Sequence, residues 1–193
     1  MADFRKIPPC RRTNVAAQTK HTKYKDDLRI DFHQRCGYCG DHDFFSETFY
    51  EVDHFVPQSL DNTRELDYSN LVYACRSCNN SKRAKWPTKN PNKPNDGLKG
   101  WIDPCDGSYA NQFERLADGS IKAITPLGSW MWSELSLGRP CHRLKWQLEQ
   151  LRIELSETDK LVIEDSKELK AIKELNAKYR KFEEMLRGYP NFY

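Results

Sequence analysis

The sequence predicts an α+β fold, in which a small ββα unit follows an N-terminal helix and precedes a C-terminal helical hairpin. Three observations predict it. Two C-x-x-C pairs enclose the segment 36–82, which holds two strand-like runs and the start of a helix. Apolar side chains recur at steps of three or four residues before this segment and again after residue 143, which is helical spacing. A chain of 193 residues suits one domain, or one compact domain with an appended subdomain.

Charge and hydropathy limit the classes of protein that fit this chain. No run of eighteen apolar residues occurs, which excludes a transmembrane helix. The first residues lack an apolar segment of signal type, so we expect a cytoplasmic protein. The net charge is +3, with basic stretches on both sides of an acidic centre at 41–67. Basic stretches are often only solvated surface, but this arrangement also suits a site that faces a polyanion.

Residues 1–35 are predicted to form a basic arm and a helix. A Pro-Pro pair and the lack of a sustained period favour an extended arm at the start of the chain. Tyr24, Leu28 and Phe32 then follow at four-residue steps, which predicts an amphipathic helix from about 19 to 35.

The segment 36–85 carries the ββα pattern. Aromatic and β-branched residues at 44–55 favour a strand or hairpin arm that Pro57 ends. A polar loop separates it from a second short apolar run at 71–74. The residues that follow can start a helix, for which Ser77 is the predicted N-cap.

The remaining residues are predicted to form two further regions. In the region 86–129, prolines and glycines predict a long ordered loop, and a β-hairpin is predicted at 113–125 around an Asp-Gly turn. The region 130–193 is predicted to be helical. It carries two apolar stripes, and a break at 156–159 would let the two helices pair as a hairpin.

Seven cysteines divide into a set of four and three others. The four form two C-x-x-C turns about thirty-five residues apart, and two such turns complete the tetrahedron that Zn²⁺ prefers. Four thiolates leave no open position for water, so the predicted zinc is structural. The predicted zinc ligands are Cys36, Cys39, Cys75 and Cys78. The other cysteines, predicted to be free buried thiols, are Cys10, Cys105 and Cys141.

Between the cysteine turns, Asp53 and His54 offer a carboxylate and an imidazole side by side. A carboxylate can hold a hard divalent ion, and His has a pKa suited to accepting a proton near pH 7. Adjacent strand residues point to opposite faces unless a bulge or a strand end brings both into one cleft. With a bound metal the pair could activate water, although an Asp-His dipeptide alone is a weak signal.

The order of these motifs resembles the HNH endonuclease family. Within 36–85, C-x2-C is followed by Asp-His, then by Asn-Leu, and then by C-x2-C-Asn-x2-Lys. The third signature position of the family is His or Asn, and Asn79 fills it here, so the sequence resembles the HNN variant. The resemblance implies a zinc-stabilised, treble-clef-like ββα-metal core and a nuclease that hydrolyses phosphodiester bonds of DNA.

The resemblance also implies a role for each matching residue. His54 would be the general base that deprotonates the attacking water, and Asp53 and Asn79 would bind one catalytic ion, Mg²⁺ or Mn²⁺. Asn70 would fix the loop and orient the imidazole. The expected contacts to nucleic acid are Lys82, Arg83 and Lys85, although a solvated helix lysine is an equal alternative for the first.

Several alternatives stay open from the residues alone. The zinc unit could be a non-catalytic nucleic-acid-binding module, or the chain could be a sequence-specific restriction enzyme. Trp86 and Trp101, expected in the core, could instead stack on bases. The basic arm and the helical C-terminal half resemble small HNH proteins of bacterial anti-phage systems, which implies a partner protein such as an ATPase. The helical hairpin could also be a homodimer seam.

The histidines outside the motif receive structural predictions. His42 lies near the first cysteine pair and is expected to be an exposed loop residue and not a second metal ligand. Three histidines lie in no recognisable motif with other possible metal or catalytic residues and are expected to be structural or solvent-facing: His21, His33 and His142.

Overall fold

The computed structural model describes residues 2–45, 49–158 and 166–188 of the chain. Helices combine with small antiparallel sheets in these residues, which confirms the predicted α+β class. The strands are β1 (Ala2–Asp3), β2 (Tyr50–His54), β3 (Leu71–Cys75), β4 (Phe113–Arg115) and β5 (Ile121–Ala123). The helices are α1 (Lys25–Asp31), α2 (Arg76–Lys82), α3 (Pro126–Glu134), α4 (Pro140–Thr158) and α5 (Ser166–Arg187).

The predicted N-terminal helix is present but is shorter than its apolar spacing suggested. A 3₁₀ turn at His21–Tyr24 leads into α1. The helix stops at Asp31 because the backbone soon turns left-handed, with φ of 53° at His33 and 60° at Gln34. On the apolar face of α1, Leu28 is fully buried where the helix packs against β3.

The arm before this helix is held against the domain over its whole path. β1 pairs antiparallel with β4, with Ala2 opposite Arg115. Further along, the Arg11 guanidinium donates to the Leu71 carbonyl at 2.6 Å and to both carboxylate oxygens of Asp103 at 3.0 Å. The extended conformation was predictable, but the pairing was not, because both partners of the arm lie far along the chain.

The ββα unit consists of β2, β3 and α2. The two strands pair antiparallel, with Tyr50 opposite Cys75 and His54 opposite Leu71. All five residues of β3 are buried, as expected for an apolar run with α1 packed against it. Within the predicted strand segment 44–55, residues 46–48 lie outside the described residues.

The start of α2 corrects one prediction. The helix is capped by Cys75, whose Sγ accepts a hydrogen bond from the backbone N–H of Cys78 at 3.5 Å. Ser77, the predicted N-cap, lies inside the first turn, so that prediction is wrong. The strand therefore passes into the helix directly, and a predicted zinc ligand is also the cap.

The stretch 86–107 is a loop, as predicted, and it buries its aromatic residues. Trp101 is completely buried and donates from Nε1 to the Lys85 carbonyl at 2.6 Å. Trp86 is also buried, packs edge-on against Phe55 and donates to the Asn90 carbonyl. Both are core residues, so the alternative that they stack on bases is wrong: neither ring face is accessible.

After this loop, β4 and β5 form the predicted hairpin, to which β1 adds a third strand. Helix α3 follows and begins at Pro126, earlier than the predicted start of the helical region, with Thr125 as its N-cap. The two long helices, α4 and α5, pack against each other, as the apolar stripes predicted. Helix α4 continues through Thr158, so the break predicted at 156–159 does not begin at residue 156; residues 159–165 lie outside the described residues.

No helix in the described part of the chain is both long and apolar enough to cross a membrane.

Candidate functional site

The four cysteines of the two C-x-x-C turns meet in one buried cluster. Their sulfur atoms all lie within 4.8 Å of one another, and the Cys39 and Cys75 sulfurs are 3.9 Å apart. Tetrahedral Zn²⁺ with bonds of about 2.3 Å would separate sulfur atoms by roughly 3.8 Å, so the cluster fits the ion. Backbone N–H groups also point at the sulfurs, with Cys75 N donating to Cys36 Sγ at 3.4 Å. These observations support a structural zinc site that joins the first C-x-x-C turn, residues 36–39, to the start of α2. This turn and its flanking residues, 35–42 in all, are called the zinc knuckle below.

Buried and partly buried cations surround this cluster. Arg5 is partly buried and donates to the carbonyls of Gly37 and Pro104, and the buried Arg115 donates to the Cys39 carbonyl at 3.2 Å. Burial lowers the pKa of both guanidinium groups, and the nearby thiols act in the opposite direction. A zinc tetrathiolate carries a net charge of about −2, so these cations offset the charge that the ion and its ligands bring into the core.

A second buried group lies beside the cluster and includes Cys39. The His142 ring on α4 contacts the Asp41 carboxylate through Nδ1 at 2.7 Å, and the Lys145 ammonium lies 3.8 Å from the same oxygen. Burial alone would raise the pKa of Asp41, but His142 and Lys145 hold it below its usual range. Since Cys39 already belongs to the tetrathiolate, we interpret the group as an ionic link between α4 and the zinc knuckle. His42, by contrast, is half-buried and accepts from the Phe44 N–H.

The three remaining cysteines are not the buried thiols that the sequence suggested. Cys10 is exposed, and Cys105 and Cys141 are only partly buried. All three lie outside the four-cysteine cluster.

His54 lies at the end of β2, and one of its ring nitrogens is hydrogen-bonded to the backbone. Its Nε2 lies 2.9 Å from the carbonyl oxygen of Glu65. A carbonyl only accepts hydrogen bonds, so Nε2 carries the proton and Nδ1 of the neutral ring carries the lone pair. The His21 ring packs edge-on against the same imidazole, with ring centroids 4.6 Å apart.

Asn70 ties the loop that supplies the Glu65 carbonyl to the end of β2. Its Oδ1 accepts from the Val56 N–H at 2.8 Å, and its Nδ2 donates to the Val56 carbonyl at 3.1 Å and to the Arg64 carbonyl at 3.5 Å. The side chain is buried, so these bonds satisfy polar groups that water does not reach. The amide therefore holds both ends of the 57–69 loop on which the orientation of His54 depends.

Asp53 is buried and held by two donors on one oxygen. The Tyr38 hydroxyl donates to Oδ2 at 2.5 Å, and the Lys82 ammonium lies 3.1 Å from the same atom. Burial raises the pKa of Asp53 above its ordinary value, and the attraction of Lys82 opposes that rise. Both contacts fall on Oδ2, so Oδ1 is the oxygen that could bind a metal ion.

Lys82 corrects another prediction. Its side chain is 0% exposed, and besides the Asp53 contact it donates to the His54 carbonyl at 2.7 Å. A lysine enclosed in this way does not contact a phosphate, so the expected nucleic-acid contact is wrong for this residue. Arg83 and Lys85 are exposed, although Lys85 is paired with Glu134 at 2.6 Å.

Asn79 projects from α2 toward β2, where it contacts a residue that the sequence analysis did not select. Its Nδ2 donates to Glu51 Oε2 at 2.8 Å, and Arg76 Nε donates to the other oxygen of Glu51 at 2.7 Å. The structure thus places both expected metal ligands on facing elements of the ββα unit, but each is held by different partners. Glu51 could have been noticed from its position two residues before Asp53, which puts both on one face of the strand.

His21 was missed for a different reason. No local pattern links it to His54, and only the packing of the 3₁₀ turn against β2 brings the two rings together. Burial lowers the pKa of His21 below its ordinary value of 6.5, and the neighbouring His54 lowers it further.

The donors around the proposed catalytic ion are oxygen atoms. A carboxylate oxygen of Asp53 and the amide oxygen of Asn79 are hard ligands, which suit Mg²⁺ or Mn²⁺ better than the thiolate-favouring ions. Asp53 on the strand and Asn79 on the helix therefore offer oxygen donors of the kind that would hold a hard divalent ion.

Comparison with known proteins agrees with this architecture over the central segment. Residues 36–85 match the family model described as HNH endonuclease. Neither the curated proteins nor the solved structures contain a match to this chain. With its four-cysteine cluster and ββα unit, the segment 36–85 is an HNH endonuclease domain.

Proposed function

We propose that this protein is a metal-dependent endonuclease that hydrolyses DNA phosphodiester bonds. In this proposal His54 takes the proton from the attacking water, and Asp53 and Asn79 bind one catalytic Mg²⁺ or Mn²⁺. The bound ion neutralises charge on the scissile phosphate and on the leaving oxygen. The zinc cluster has a separate, structural role.

The contact of His54 Nε2 with the Glu65 carbonyl is the observation that best supports this proposal. The hydrogen bond from Nε2 to the Glu65 carbonyl leaves a basic Nδ1 on a ring that cannot rotate freely. A general base needs a lone pair and a fixed direction, and both come from the 57–69 loop that Asn70 holds closed. The loop is therefore part of the catalytic apparatus in this proposal, although it does not touch the substrate.

Exposed cations near the base support a polyanionic substrate. The 3₁₀ turn that carries His21 packs against β2, and Lys20 and Lys23 at this turn are exposed. On the other side of the ββα unit, Arg83 is exposed at the end of α2. We propose that a DNA backbone lies along these cations and presents a phosphate to His54.

Plasmid cleavage tests the proposal. The zinc-loaded protein is incubated with supercoiled DNA and Mg²⁺ or Mn²⁺, with EDTA as the metal-free control and RNA as the competing substrate. We expect nicked or linear DNA only with a divalent ion, and a loss of at least 10²-fold in rate for His54→Ala, the usual contribution of a general base. His33→Ala is the control, since His33 is exposed and its ring nitrogen Nε2 lies 3.3 Å from the Pro8 carbonyl oxygen.

Other outcomes identify the alternative functions. Binding to DNA without cleavage under any divalent ion would indicate a non-catalytic zinc module. Cleavage confined to one sequence would indicate a restriction enzyme.

We further propose a reducing, cytoplasmic location, since the tetrathiolate requires reduced cysteines. A role in anti-phage defence with a partner such as an ATPase, or as a homodimer, is also proposed, on the family resemblance alone.

A further inference from the structure

The proposed reaction leaves Glu51 without a role, although its carboxylate lies beside the proposed metal ligands. Glu51 is on β2, on the same strand face as Asp53. Both of its oxygens accept hydrogen bonds from α2, one from Asn79 Nδ2 at 2.8 Å and one from Arg76 Nε at 2.7 Å. Helix α2 thus supplies a donor to each oxygen of this carboxylate.

The contact with Asn79 decides which way its amide points. A primary amide has an oxygen at one end and an NH₂ group at the other, and the two ends are similar in shape. A carboxylate only accepts, so Glu51 attracts the NH₂ end of Asn79. The amide oxygen, which is the atom that binds a hard divalent ion, then points away from Glu51.

We propose that Glu51 is a positioning residue that fixes the amide of Asn79, so that its oxygen is presented to the catalytic ion. Arg76 holds Glu51 in turn, through a direct ion pair. This inference rests on the proposed function, in which Asn79 is a metal ligand. Glu51 is not itself a ligand in this arrangement, because each of its oxygens accepts a hydrogen bond, whereas both donors to Asp53 fall on Oδ2 and leave Oδ1.

Partners that orient metal ligands contribute measurably to affinity. Removing such a partner typically costs 10- to 100-fold in metal affinity or activity. We therefore expect the loss of Glu51 to weaken the catalytic ion without affecting the zinc, because the tetrathiolate does not include this residue.

A double-mutant cycle on Mn²⁺ binding tests this inference. Binding of Mn²⁺ is measured by calorimetry on zinc-saturated protein, which keeps the cysteine cluster occupied. Glu51→Ala should raise the Kd for Mn²⁺ about tenfold or more. In the Asn79→Ala background the same change should have no further effect, since Glu51 acts through that amide. Zinc content and Tm report whether each variant is folded.

Glu134→Ala is a matched control. The Glu134–Lys85 pair and the Glu51–Arg76 pair have similar exposures, with carboxylate side chains 28% and 33% exposed. Loss of this surface pair should leave the Kd for Mn²⁺ unchanged. That result would show that removing a surface glutamate does not by itself weaken Mn²⁺ binding. Glu51→Gln should retain most of the affinity, since the Gln oxygen still accepts from Asn79. If Glu51→Ala does not fold, Glu51→Leu, which also removes the acceptor but keeps the bulk of the side chain, takes its place with the same expected loss.

Three outcomes would overturn the inference. Wild-type affinity in Glu51→Ala would show that Asn79 needs no such partner. Additive losses in the double variant, with Glu51→Gln as weak as Glu51→Ala, would make Glu51 a ligand in its own right. If instead the wild type binds no Mn²⁺, or Asp53→Ala binds it equally well, the proposed metal site fails, and this inference fails with it.

Discussion

At the scale of single residues, the site depends on how buried charges are paired. Asp53 and Lys82 lie in the interior, and each would be costly there without the other. Lys82 also donates to the His54 carbonyl, so one ammonium holds the Asp53 side chain and the His54 backbone together. The motif lysine is therefore an internal support of the site, and the sequence alone could not distinguish this from a phosphate contact.

Replacing Lys82 by Met should destabilise the protein and not merely weaken DNA binding. The change leaves the Asp53 carboxylate buried without its cation, which costs about 3–5 kcal/mol in comparable pairs. Urea unfolding of zinc-loaded protein measures the loss. Arg83→Met is the control, since that side chain is exposed and should change stability by about 0.5 kcal/mol or less. A Lys82→Met protein as stable as wild type but deficient in DNA binding would support the phosphate-contact prediction instead.

The pair of histidines gives a prediction about pH. The pKa of His21 lies below 6.5, first because of burial and second because of the nearby His54. His54→Ala removes the electrostatic effect of the neighbouring ring and exposes His21 more to water, so the pKa of His21 should rise toward 6.5. An NMR titration of the His21 ring measures it, with His33→Ala as the variant that should leave it unchanged. A fall or no change in the His54→Ala protein would contradict the contact between the rings.

At the scale of elements, the zinc cluster determines where β3 ends and α2 begins. Cys75 ends the strand, caps the helix and belongs to the cluster, so removing its sulfur disturbs three features at once. The buried side chains of the ββα unit share one core with α1 and the loop after α2, and the four cysteines lie in that core. Structural zinc contributes on the order of 10 kcal/mol or more to folding in small metal-bound domains.

Cys75→Ser should therefore lose zinc and folded structure together. Zinc content by mass spectrometry and the far-ultraviolet circular dichroism signal should fall in parallel. Cys105→Ser is the control, because Cys105 is a partly buried thiol outside the cluster and its loss should leave the zinc in place. A stable, zinc-free Cys75→Ser protein would count against the tetrathiolate.

Local signals predicted most elements, and long-range contacts account for what they missed. The C-x-x-C turns, the β-branched runs and the Asp-Gly turn each act over a few residues, so the zinc cluster, β3 and the β4–β5 hairpin could be predicted. The burial of Lys82 and the contacts of Glu51 depend on how α2 lies on β2. The approach of His21 to His54 depends on a turn thirty residues away. Such contacts leave no local pattern.

At the scale of the whole molecule, the HNH domain is enclosed by segments outside residues 36–85. On one side, the N-terminal arm is fixed by the Arg11–Asp103 ion pair and by β1. On the other side, α4 contacts the zinc knuckle through His142 and Asp41, and through an ion pair between Arg35 and Glu149. The flanking segments therefore contribute to the stability of the zinc knuckle and to one wall of the site.

The pairing of β1 with β4 also bears on how the protein is made. During synthesis Ala2 leaves the ribosome well before its partner Arg115, which follows more than a hundred residues later. The arm thus cannot take its final place until β4 has left the ribosome, by which time the whole HNH domain has been translated. The three-stranded sheet of β1, β4 and β5 is therefore completed only after the ββα unit has been made.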